Sequence, residues 1–272
     1  MTREKITLTE TKETNLITLY GKAVESEMPG SLLKDRFGAE AVRKIDYDFS
    51  RFRLSRDDMI GLAIRAHVFD TLTRDFIARS PRATVLNLGW GLDSRVFRVD
   101  PSADVLWFDV DYPEVIDLRR RLYPARAAGY EMIGSSVTAP DWLSAVPADR
   151  PAIVIAEGLL MYIQANDVFQ LVNRLTTHLP AGEIAFDIFT RLGTRIIQRH
   201  SSLRVTRATL VWSMEDPREL ERQAPKLKFA AEYTPYDTGQ VKRMSWPARA
   251  TIRLFLAIPP LRRMARVLLY RF

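Results

Sequence analysis

An apolar, strand-like run that ends in two glycines constrains this chain more than any other feature. Thr84-Val-Leu-Asn-Leu is followed at once by Gly89-Trp-Gly91, and a helical pattern comes next. The first glycine permits a tight turn, and the second lets the backbone approach a ligand without a Cβ in the way. The carboxyl edge of a parallel sheet receives nucleotide-type cofactors in this manner. The motif therefore predicts an open α/β sheet with a cofactor site at this turn.

A second strand-like run ends in an acidic residue about twenty residues after the glycine turn. Val105 to Asp111 has a strand pattern, and Asp111 follows Gly89 by 22 residues. An acid at about twenty residues from a glycine turn holds ribose hydroxyls in dinucleotide-binding folds. Asp111 has a second interpretation as the N-cap of the next helix, because Tyr112-Pro113-Glu114 is a good helix start.

The residues after the glycines discriminate between two classes of cofactor. A dinucleotide fingerprint has a third glycine and a free helix N-terminus for the pyrophosphate. Here Ser94 occupies the third-glycine position, and Asp93 puts a carboxylate at the helix mouth. A carboxylate repels a pyrophosphate but suits a ligand that carries an ammonium and a sulfonium. This turn therefore favours S-adenosylmethionine over NAD.

Hydrophobic periodicity divides the chain into a helical beginning and an alternating remainder. Three helices are predicted at 10–26, 32–45 and 57–79, the last with Asp57 as its N-cap. Strands and helices then alternate, which predicts an α/β fold with a doubly wound, mostly parallel sheet and an N-terminal helical cap. The predicted strands cover 84–89, 105–110, 130–134, 152–157, 183–189, 226–234 and 266–272, and the later helices cover 92–98, 113–122, 139–145, 165–178, 192–203 and 216–223.

We expect one structural domain with two functional parts. Residues 1–80 form a helical cap and lid, and residues 81–272 form the cofactor-binding core. Within the core, the segment at about 190–260 is expected to cover the acceptor. The amphipathic, basic stretch 253–264 is predicted to be a helix packed on the domain, with contact to a membrane surface as the alternative.

Composition and charge limit the classes of partner that this chain is expected to bind. The net charge is +7 and the pI is about 9.7, but the arginines are dispersed and no zinc-ligand or RNP-like motif accompanies them, so no nucleic-acid partner is expected. The chain has no cysteine, which excludes disulfides and thiolate chemistry, and no metal site is predicted. A polar N-terminus and the lack of a long apolar run predict a cytoplasmic protein without a membrane span. Nothing in the sequence indicates an oligomeric state.

Six separate blocks, in order along the chain, are similar to one enzyme family. On these blocks the chain resembles the S-adenosylmethionine-dependent O-methyltransferases of the leucine carboxyl methyltransferase group, and most closely their bacterial polyketide O-methyltransferase branch of the tetracenomycin type. The resemblance covers nearly the whole chain and implies a class I, Rossmann-like methyltransferase fold, S-adenosylmethionine as the cofactor and a small-molecule acceptor. The blocks are Asn15-Leu-Ile-Thr-Leu-Tyr-Gly21, Arg43-Lys-Ile-Asp-Tyr-Asp-Phe49, Ala63-Ile-Arg65, Leu86-Asn-Leu-Gly-Trp-Gly-Leu-Asp-Ser-Arg95, Phe108-Asp-Val-Asp-Tyr-Pro-Glu114 and Ala156-Glu-Gly-Leu-Leu-Met-Tyr162.

The resemblance implies contacts to the nucleoside end of the cofactor and to the turn beneath it. Gly89 and Gly91 would form the turn under the amino-acid end of S-adenosylmethionine. Asp111 would bind the ribose hydroxyls. Ser136 and Val137, after the third strand, would face the adenine, with a plain loop as the alternative.

Three further residues are implied as contacts to the charged end of the cofactor. Glu157 ends the fourth strand, where a carboxylate is costly unless it is solvated or paired. Arg65 resembles the basic residue that holds the methionyl carboxylate; taken alone, it would be an exposed helix arginine. Lys12 aligns with another basic contact of that kind.

The chain departs from the family at the glycine turn. The family commonly has Gly-Cys-Gly followed by Leu-Asp-Thr-Arg, whereas this chain has Gly-Trp-Gly followed by Leu-Asp-Ser-Arg. Trp90 must point away from the cofactor or stack on part of it. The departure keeps open a non-catalytic homologue that retains the fold.

Methyl transfer from a sulfonium is an in-line displacement that mainly requires alignment and exclusion of water. An ionised carboxylate needs no general base, whereas a phenol gains from one. His67 and His178 are expected to be structural, so His200 and Tyr162 are the candidates for a catalytic group, and Asp187 could line the pocket. We therefore expect a carboxylate of a polyketide-like or other secondary metabolite as the acceptor. A phenol acceptor, a non-catalytic S-adenosylmethionine-binding protein and an NAD-type oxidoreductase are the alternatives.

Overall fold

A seven-stranded sheet forms the centre of the protein. The computed structural model describes residues 4–6, 10–126 and 129–272. The strands follow the order β3-β2-β1-β4-β5-β7-β6, in which β1 to β5 pair in parallel and β7 runs antiparallel to both of its neighbours. The strands are β1 (Thr84–Leu88), β2 (Leu106–Asp111), β3 (Tyr130–Gly134), β4 (Ala152–Ala156), β5 (Gly182–Phe189), β6 (Lys228–Tyr233) and β7 (Ala265–Arg271).

The helices cover both faces of this sheet. Strands β1 and β4 are buried over their whole length, which explains why they consist of unbroken apolar runs apart from Thr84 and Asn87. The helices are α1 (Thr14–Glu27), α2 (Arg36–Lys44), α3 (Arg56–Arg79), α4 (Arg95–Val99), α5 (Pro113–Leu122), α6 (Ala165–His178), α7 (Arg191–Ile197), α8 (Ser201–Thr206), α9 (Arg218–Gln223), α10 (Trp246–Ala257) and α11 (Pro259–Arg262).

The strand order reverses between β1 and β4. The chain builds outward from β1 through β2 to β3 and then returns to place β4 on the other side of β1. Ligands of open α/β sheets bind at such a switch point, outside the carboxyl ends of the strands. The fold therefore puts the glycine turn after β1 beside the residues that follow β4. The predicted doubly wound, mostly parallel sheet with N-terminal helices is confirmed.

Several predicted helices differ from those observed for local reasons. The predicted helix at 32–45 begins only at Arg36, because Asp35 is its N-cap and accepts a hydrogen bond from the Gly38 amide. The predicted helix at 92–98 is the shorter α4, and the one at 139–145 is a 3-10 helix from Asp141 to Ala145. The single helix predicted at 192–203 is two helices, α7 and α8, because the His200 side chain caps the second.

The N-cap assigned to the third helix was wrong. Ser55, not Asp57, caps α3: its hydroxyl accepts from the Asp58 amide, and the Asp58 carboxylate accepts in return from the Ser55 amide. This is a capping box, with an Asp in place of the usual Glu or Gln. Asp57 lies in the first turn and instead accepts hydrogen bonds from Ser245, just before α10.

The amphipathic stretch near the C-terminus forms two helices. Helix α10 begins at Trp246, seven residues before the predicted stretch, and α11 follows at once because Pro259 and Pro260 force a new helix start. Ala248 and Ile252 pack on α3 near Ile60, so α10 does lie against the domain. In the part of the chain that the structure describes, no helix is both long and apolar enough to cross a membrane.

We expect Ser55→Ala to lower the free energy of unfolding by about 1 kcal/mol, because the first turn of α3 loses its reciprocal cap. Ser55→Thr keeps the hydroxyl and is the matched control, with little loss expected. Urea unfolding followed by circular dichroism measures both variants. Equal stability of Ser55→Ala and the wild type would contradict the capping role.

Candidate functional site

Three adjoining cavities, which share lining residues, lie at the carboxyl edge of the sheet. We call them the outer cavity, of about 430 Å³, the central cavity, of about 150 Å³, and the apolar cavity, of about 480 Å³. Gly89, Gly158 and Tyr162 line both the outer and the central cavity, while Arg65 and Phe189 line both the central and the apolar cavity. A single elongated ligand or two ligands in contact can therefore extend from one end of this edge to the other.

The glycine turn is shaped by two close approaches of other parts of the chain. Gly89 and Gly91 have φ angles of +55° and +64°, a region that favours glycine. A Cβ on Gly89 would lie 2.3 Å from Leu159 Cδ1, and a Cβ on Gly91 would lie 2.3 Å from Asn15 Oδ1 of α1. The second glycine therefore admits a side chain from α1, and the turn borders the outer and central cavities through Gly89.

Asp111 lies at the outer cavity and fixes the glycine turn. Its Oδ2 accepts from the Gly91 amide at 2.6 Å, and its Oδ1 accepts from the Tyr112 amide at 2.7 Å. The N-cap of α5 is Tyr112, so the alternative that Asp111 caps this helix is wrong. Burial raises the pKa of Asp111 to about 6. Each carboxylate oxygen keeps a lone pair for a further donor.

The other candidates for the nucleoside end also border the outer cavity. Ser136 and Val137 lie in the turn after β3, where the Ser136 hydroxyl is 2.8 Å from that of Thr138. Lys12 lies at the rim, ion-paired with Glu114 and with its ammonium 4.4 Å from the centre of the Tyr112 ring. Lys12 is therefore on the outer side, away from the second basic candidate, Arg65.

Glu157 is the centre of a buried ion cluster. It follows β4 directly, and its carboxylate contacts the Lys22 ammonium at 2.8 Å, Arg65 Nε at 3.2 Å and the Arg95 guanidinium. Burial works to raise the pKa of Glu157, but Lys22, Arg65 and Arg95 outweigh it and lower the pKa to about 2. The cost of a carboxylate at the tip of a buried strand is thus offset by three cations from α1, α3 and α4.

Arg65 joins the central and the apolar cavity. Besides Glu157, its guanidinium contacts Asp187 Oδ2 at 3.3 Å, and the other Asp187 oxygen accepts from the Gly158 amide. Gly158 has φ +66°, and a Cβ there would lie 3.5 Å from the Arg65 guanidinium. Arg65 is therefore not the exposed helix arginine that the sequence alone would give.

The negative charge of Asp93 at the start of α4 is compensated by neighbouring cations. The sequence had suggested that this charge is free to repel a pyrophosphate. Its carboxylate pairs with the Lys22 ammonium and, at 2.8 Å, with Arg98. Burial works to raise the pKa of Asp93, but Arg98, Lys22 and Arg95 outweigh it, so the pKa lies well below its ordinary value. Asp93 would therefore repel a pyrophosphate less strongly than the sequence suggested.

The cluster extends behind the glycine turn. Arg98 also contacts Asp70 Oδ2 at 2.7 Å and Asp35 at 3.1 Å, and Asp35 accepts from the Ser94 hydroxyl. Ser94, at the third-glycine position, is thus a buried hydrogen-bond donor. The whole cluster has four cations and five carboxylates, namely Lys22, Arg65, Arg95 and Arg98 with Asp35, Asp70, Asp93, Glu157 and Asp187.

Trp90 packs against a buried arginine and also borders the central cavity. The Arg119 guanidinium lies 3.4 Å from the centre of the Trp90 ring and 4.4 Å from that of Tyr123, so it is held between two aromatic rings. Arg119 donates to the Asp93 carbonyl at 2.8 Å. The tryptophan that replaces the family's cysteine therefore supports the glycine turn through this stack.

The candidate catalytic groups line the cavities but are already engaged. His200 borders the apolar cavity; its Nδ1 lies 2.8 Å from the Ser202 hydroxyl, and its Nε2 lies 3.5 Å from Asp58. The hydrogen bond to Asp58 raises the pKa of His200. Burial raises the pKa of Tyr162 to about 12. Both nitrogens of His200 therefore have a polar partner, and the Tyr162 hydroxyl is a weak acid.

The other two histidines lie away from the ion cluster. His178 is 2.7 Å from the Val146 carbonyl at the end of α6, and His67 borders a separate groove on the far side of α3. Neither histidine lines the outer, central or apolar cavity.

Sequence reasoning missed Lys22 and Asn15. Lys22 is buried on the same face of α1 as Leu19 and Ala23, and a lysine on an apolar helix stripe was the available signal. Asn15 gave no such signal, because its contact with Gly91 depends on how α1 docks on the turn. Asp187 belongs to the ion cluster and not merely to the pocket wall.

The chain is similar to known S-adenosylmethionine-dependent methyltransferases. Residues 16–176 match the leucine carboxyl methyltransferase family. The chain is 42% identical to the tetracenomycin polyketide synthesis O-methyltransferase TcmP of Streptomyces glaucescens over 99% of both chains. It is 35% identical to the S-adenosyl-L-methionine-dependent methyltransferase dpfgK of Gibberella zeae, over 92% of this chain and 91% of that one.

A solved structure shows the same fold at low sequence identity. A protein from Thermobifida fusca that is assigned as a methyltransferase superposes with a TM-score of 0.57 at 15% identity, over 92% of this chain and 93% of that one. The match at this identity shows the fold alone.

We expect Trp90→Cys to lower the free energy of unfolding by about 3 kcal/mol, because the stack on Arg119 is lost and a buried cavity remains. Trp90→Phe keeps an aromatic face on Arg119 and should lose less. S-adenosylmethionine affinity of the folded Trp90→Cys variant, measured by calorimetry, should stay within about threefold of the wild type, since aromatic stacking on the ligand would cost more. Unchanged stability with strongly reduced affinity would place the ring on the cofactor.

Proposed function

From the premise that this chain belongs to the leucine carboxyl methyltransferase family, we propose that it methylates a carboxylate of an apolar, polyketide-like small molecule. The chain is an S-adenosylmethionine-dependent methyltransferase, and the NAD-type oxidoreductase alternative is wrong. The observation that carries the proposal is the meeting of the charged central cavity with the apolar cavity at Arg65. It places a charged and an apolar compartment in contact.

The residues present fit S-adenosylmethionine at the outer and central cavities. In the proposal, Asp111 accepts from the ribose hydroxyls with its remaining lone pairs, and Ser136 and Val137 border the adenine. Gly89 and Gly91 form the turn at the border of the two cavities. These positions follow the edge of the sheet from β3 to β1, as a nucleoside in this fold requires.

The charged end of the cofactor fits the ion cluster. Arg65 is placed to hold the methionyl carboxylate, and Glu157 is placed to hold the ammonium, each by exchanging one partner within the cluster. Lys12, at the outer rim, is proposed as a closing contact over the cofactor. Because the cluster has one carboxylate more than it has cations, a ligand with a net positive charge completes its balance.

When bound, S-adenosylmethionine would supply a methyl group activated for in-line attack by an oxygen nucleophile, with S-adenosylhomocysteine as the leaving group. The protein then has to align the acceptor and exclude water. Phe189, Ile197 and Leu62 border the junction between the central and apolar cavities, and they provide an apolar wall for this purpose. The rate enhancement would come mainly from positioning.

The apolar cavity suits a ring-bearing acid. At about 480 Å³ it lies in the range of small-molecule sites, and Tyr236, Phe255 and Ile252 contribute to its wall. The relative TcmP acts in tetracenomycin polyketide synthesis, and a compound of that class has the size and apolar character that this cavity offers.

A carboxylate is favoured because no group in the cavity is poised as a base. The acceptor would arrive ionised at neutral pH and would need none. Each carboxylate that lines the cavity is engaged: Asp57 accepts from Ser245, Asp58 from Ser55, and Asp187 from Gly158 and Arg65.

A phenol is the second candidate, favoured by the contact between His200 and Asp58 at the cavity wall. An imidazole oriented by a carboxylate is a common general base. Its raised pKa and its two engaged nitrogens argue for the carboxylate acceptor.

We expect S-adenosylmethionine affinity to fall as the pH drops through about 6, because protonation of Asp111 removes an acceptor for the ribose hydroxyls. Above that pH the carboxylate is ionised and the affinity is full. Asp111→Asn should weaken binding by about 1.5–3 kcal/mol at neutral pH and flatten the pH profile. Asp117→Asn, an exposed carboxylate on α5, is the control. Calorimetry across the pH range on folded protein measures all three, and a profile unaffected by Asp111→Asn would remove the ribose assignment.

We expect the methylated product to release methanol in mild alkali, because esters saponify and aryl ethers do not. His200→Ala should retain turnover, since alignment of an ionised acceptor is the main catalytic requirement. Incubation with a labelled methyl donor and a polyketide acid, followed by alkali treatment, makes the measurement.

Three outcomes would contradict the carboxylate proposal. An alkali-stable product would assign the acceptor as a phenol. A His200→Ala protein that binds both substrates but has no turnover would make His200 its base. Binding of S-adenosylmethionine without transfer to acids or phenols would favour the non-catalytic alternative.

A further inference from the structure

Helix α10 is apolar on two opposite faces. Its inner face lines the apolar cavity through Ala248, Thr251, Ile252, Phe255 and Leu256. Successive residues of an α-helix are about 100° apart, so the opposite face carries positions 246, 250, 253, 254 and 257. A helix on the surface of a globular protein normally has polar residues on that side.

The outer face of α10 instead exposes large apolar side chains. Trp246 is 72% exposed and Leu254 is 60% exposed, with Ile258 at 39% just beyond the helix. Ala250 and Ala257 are exposed between them. No side chain of α10 is buried. We call this row the outer stripe of α10; packing within the protein does not account for it.

The segment that carries the outer stripe is basic. From residue 238 to residue 272 the sequence has eight Lys or Arg and no Asp or Glu, and five of these arginines pair with carboxylates of other segments. Arg253 projects from the stripe itself and Lys242 lies just before the helix; both are exposed, and among the described residues neither has an ion-pair partner. The stripe therefore offers apolar groups inside a cationic field.

We propose that the outer stripe of α10 docks on an anionic lipid surface. Tryptophan and leucine on one face, with arginine and lysine beside them, are what an interfacial helix presents to a membrane. Each basic residue near an anionic lipid surface adds attraction, and the apolar groups enter the boundary between headgroups and acyl chains.

Two other occupants fit the stripe less well. A second copy related by a two-fold axis would bring the same basic surface against itself, and like charges would repel. An acidic protein would satisfy the charge, but Trp246 and Leu254 project from a convex helix and would need a complementary groove. A lipid surface needs no preformed groove.

Docking would place the wall of the apolar cavity at the membrane. Because the same helix lines that cavity from within, an apolar ligand dissolved in the lipid would have a short path to it. This delivery of an apolar ligand rests on the proposed function. The docking itself does not, and the test of docking requires no turnover.

The test is co-sedimentation of the full chain with large vesicles at low ionic strength. We expect about tenfold more protein with vesicles of equal parts phosphatidylglycerol and phosphatidylcholine than with pure phosphatidylcholine. The doubly substituted Trp246→Ser, Leu254→Ser protein should bind at least about tenfold more weakly, and Arg253→Gln about fivefold more weakly. Added salt should reduce binding of the wild type.

Matched controls separate the stripe from general surface effects. Val211→Ser removes a similarly exposed apolar side chain outside α10, and Arg120→Gln removes an exposed arginine on α5; both should bind as the wild type does. Thermal unfolding verifies that every variant is folded.

Four results would overturn the proposal. The first is absence of vesicle binding by folded wild-type protein, and the second is binding that the double substitution leaves unchanged. The third is a dimer, measured by light scattering, that the double substitution converts to a monomer, which would make a second copy the occupant. Binding to poly-L-glutamate without binding to vesicles would likewise assign the stripe to an acidic protein.

Discussion

The buried charge of Glu157 is the interaction on which the rest of the site depends. A carboxylate at the tip of β4 costs several kcal/mol of desolvation unless cations compensate it. The compensation comes from three separate helices, through Lys22 of α1, Arg65 of α3 and Arg95 of α4. Removing one member of such a group leaves an unpaired buried charge and is more damaging than removing the whole group. The N-terminal helices are therefore fixed on the sheet edge by the same contacts that make the central cavity polar.

This arrangement explains how the chain tolerates a tryptophan between two glycines. The turn needs φ angles that only glycine adopts easily, and its shape is secured from two sides. On the cavity side the Asp111 carboxylate accepts the Gly91 amide, and on the far side Arg119 donates to the Asp93 carbonyl. Trp90 stacks on Arg119 and so takes part in the second of these supports. The substitution that seemed to damage the turn has a structural partner elsewhere in the chain.

The sequence predicted the strands and the candidate residues at their carboxyl ends because those signals are local. Strand β1 and its glycines, the Asp that ends β2 and the Glu that follows β4 all lie at positions that parallel-sheet geometry brings together. What it could not supply were contacts between distant segments. The pairing of Asp93 with Lys22 joins residues 71 positions apart, and it reverses the electrostatic meaning of Asp93. The cap at Ser55 was a different case, since Ser-x-x-Asp was readable in the sequence and the Asp57 alternative simply had a similar local pattern.

The sheet edge and the later segments make different demands on the sequence. The edge has to hold a charged cofactor, and its residues are accounted for by ion pairs, turns and hydrogen bonds. Helix α10 has to provide an apolar wall for the apolar cavity, and this accounts for Ile252 and Phe255 on its inner face. Nothing in that role requires Trp246 or Leu254 on the outer face, where a polar residue would cost nothing in packing and would favour solubility. An apolar outer face on a helix whose inner face is already satisfied therefore needs a cause outside the folded chain, and the exposed cations Lys242 and Arg253 beside it favour an anionic partner.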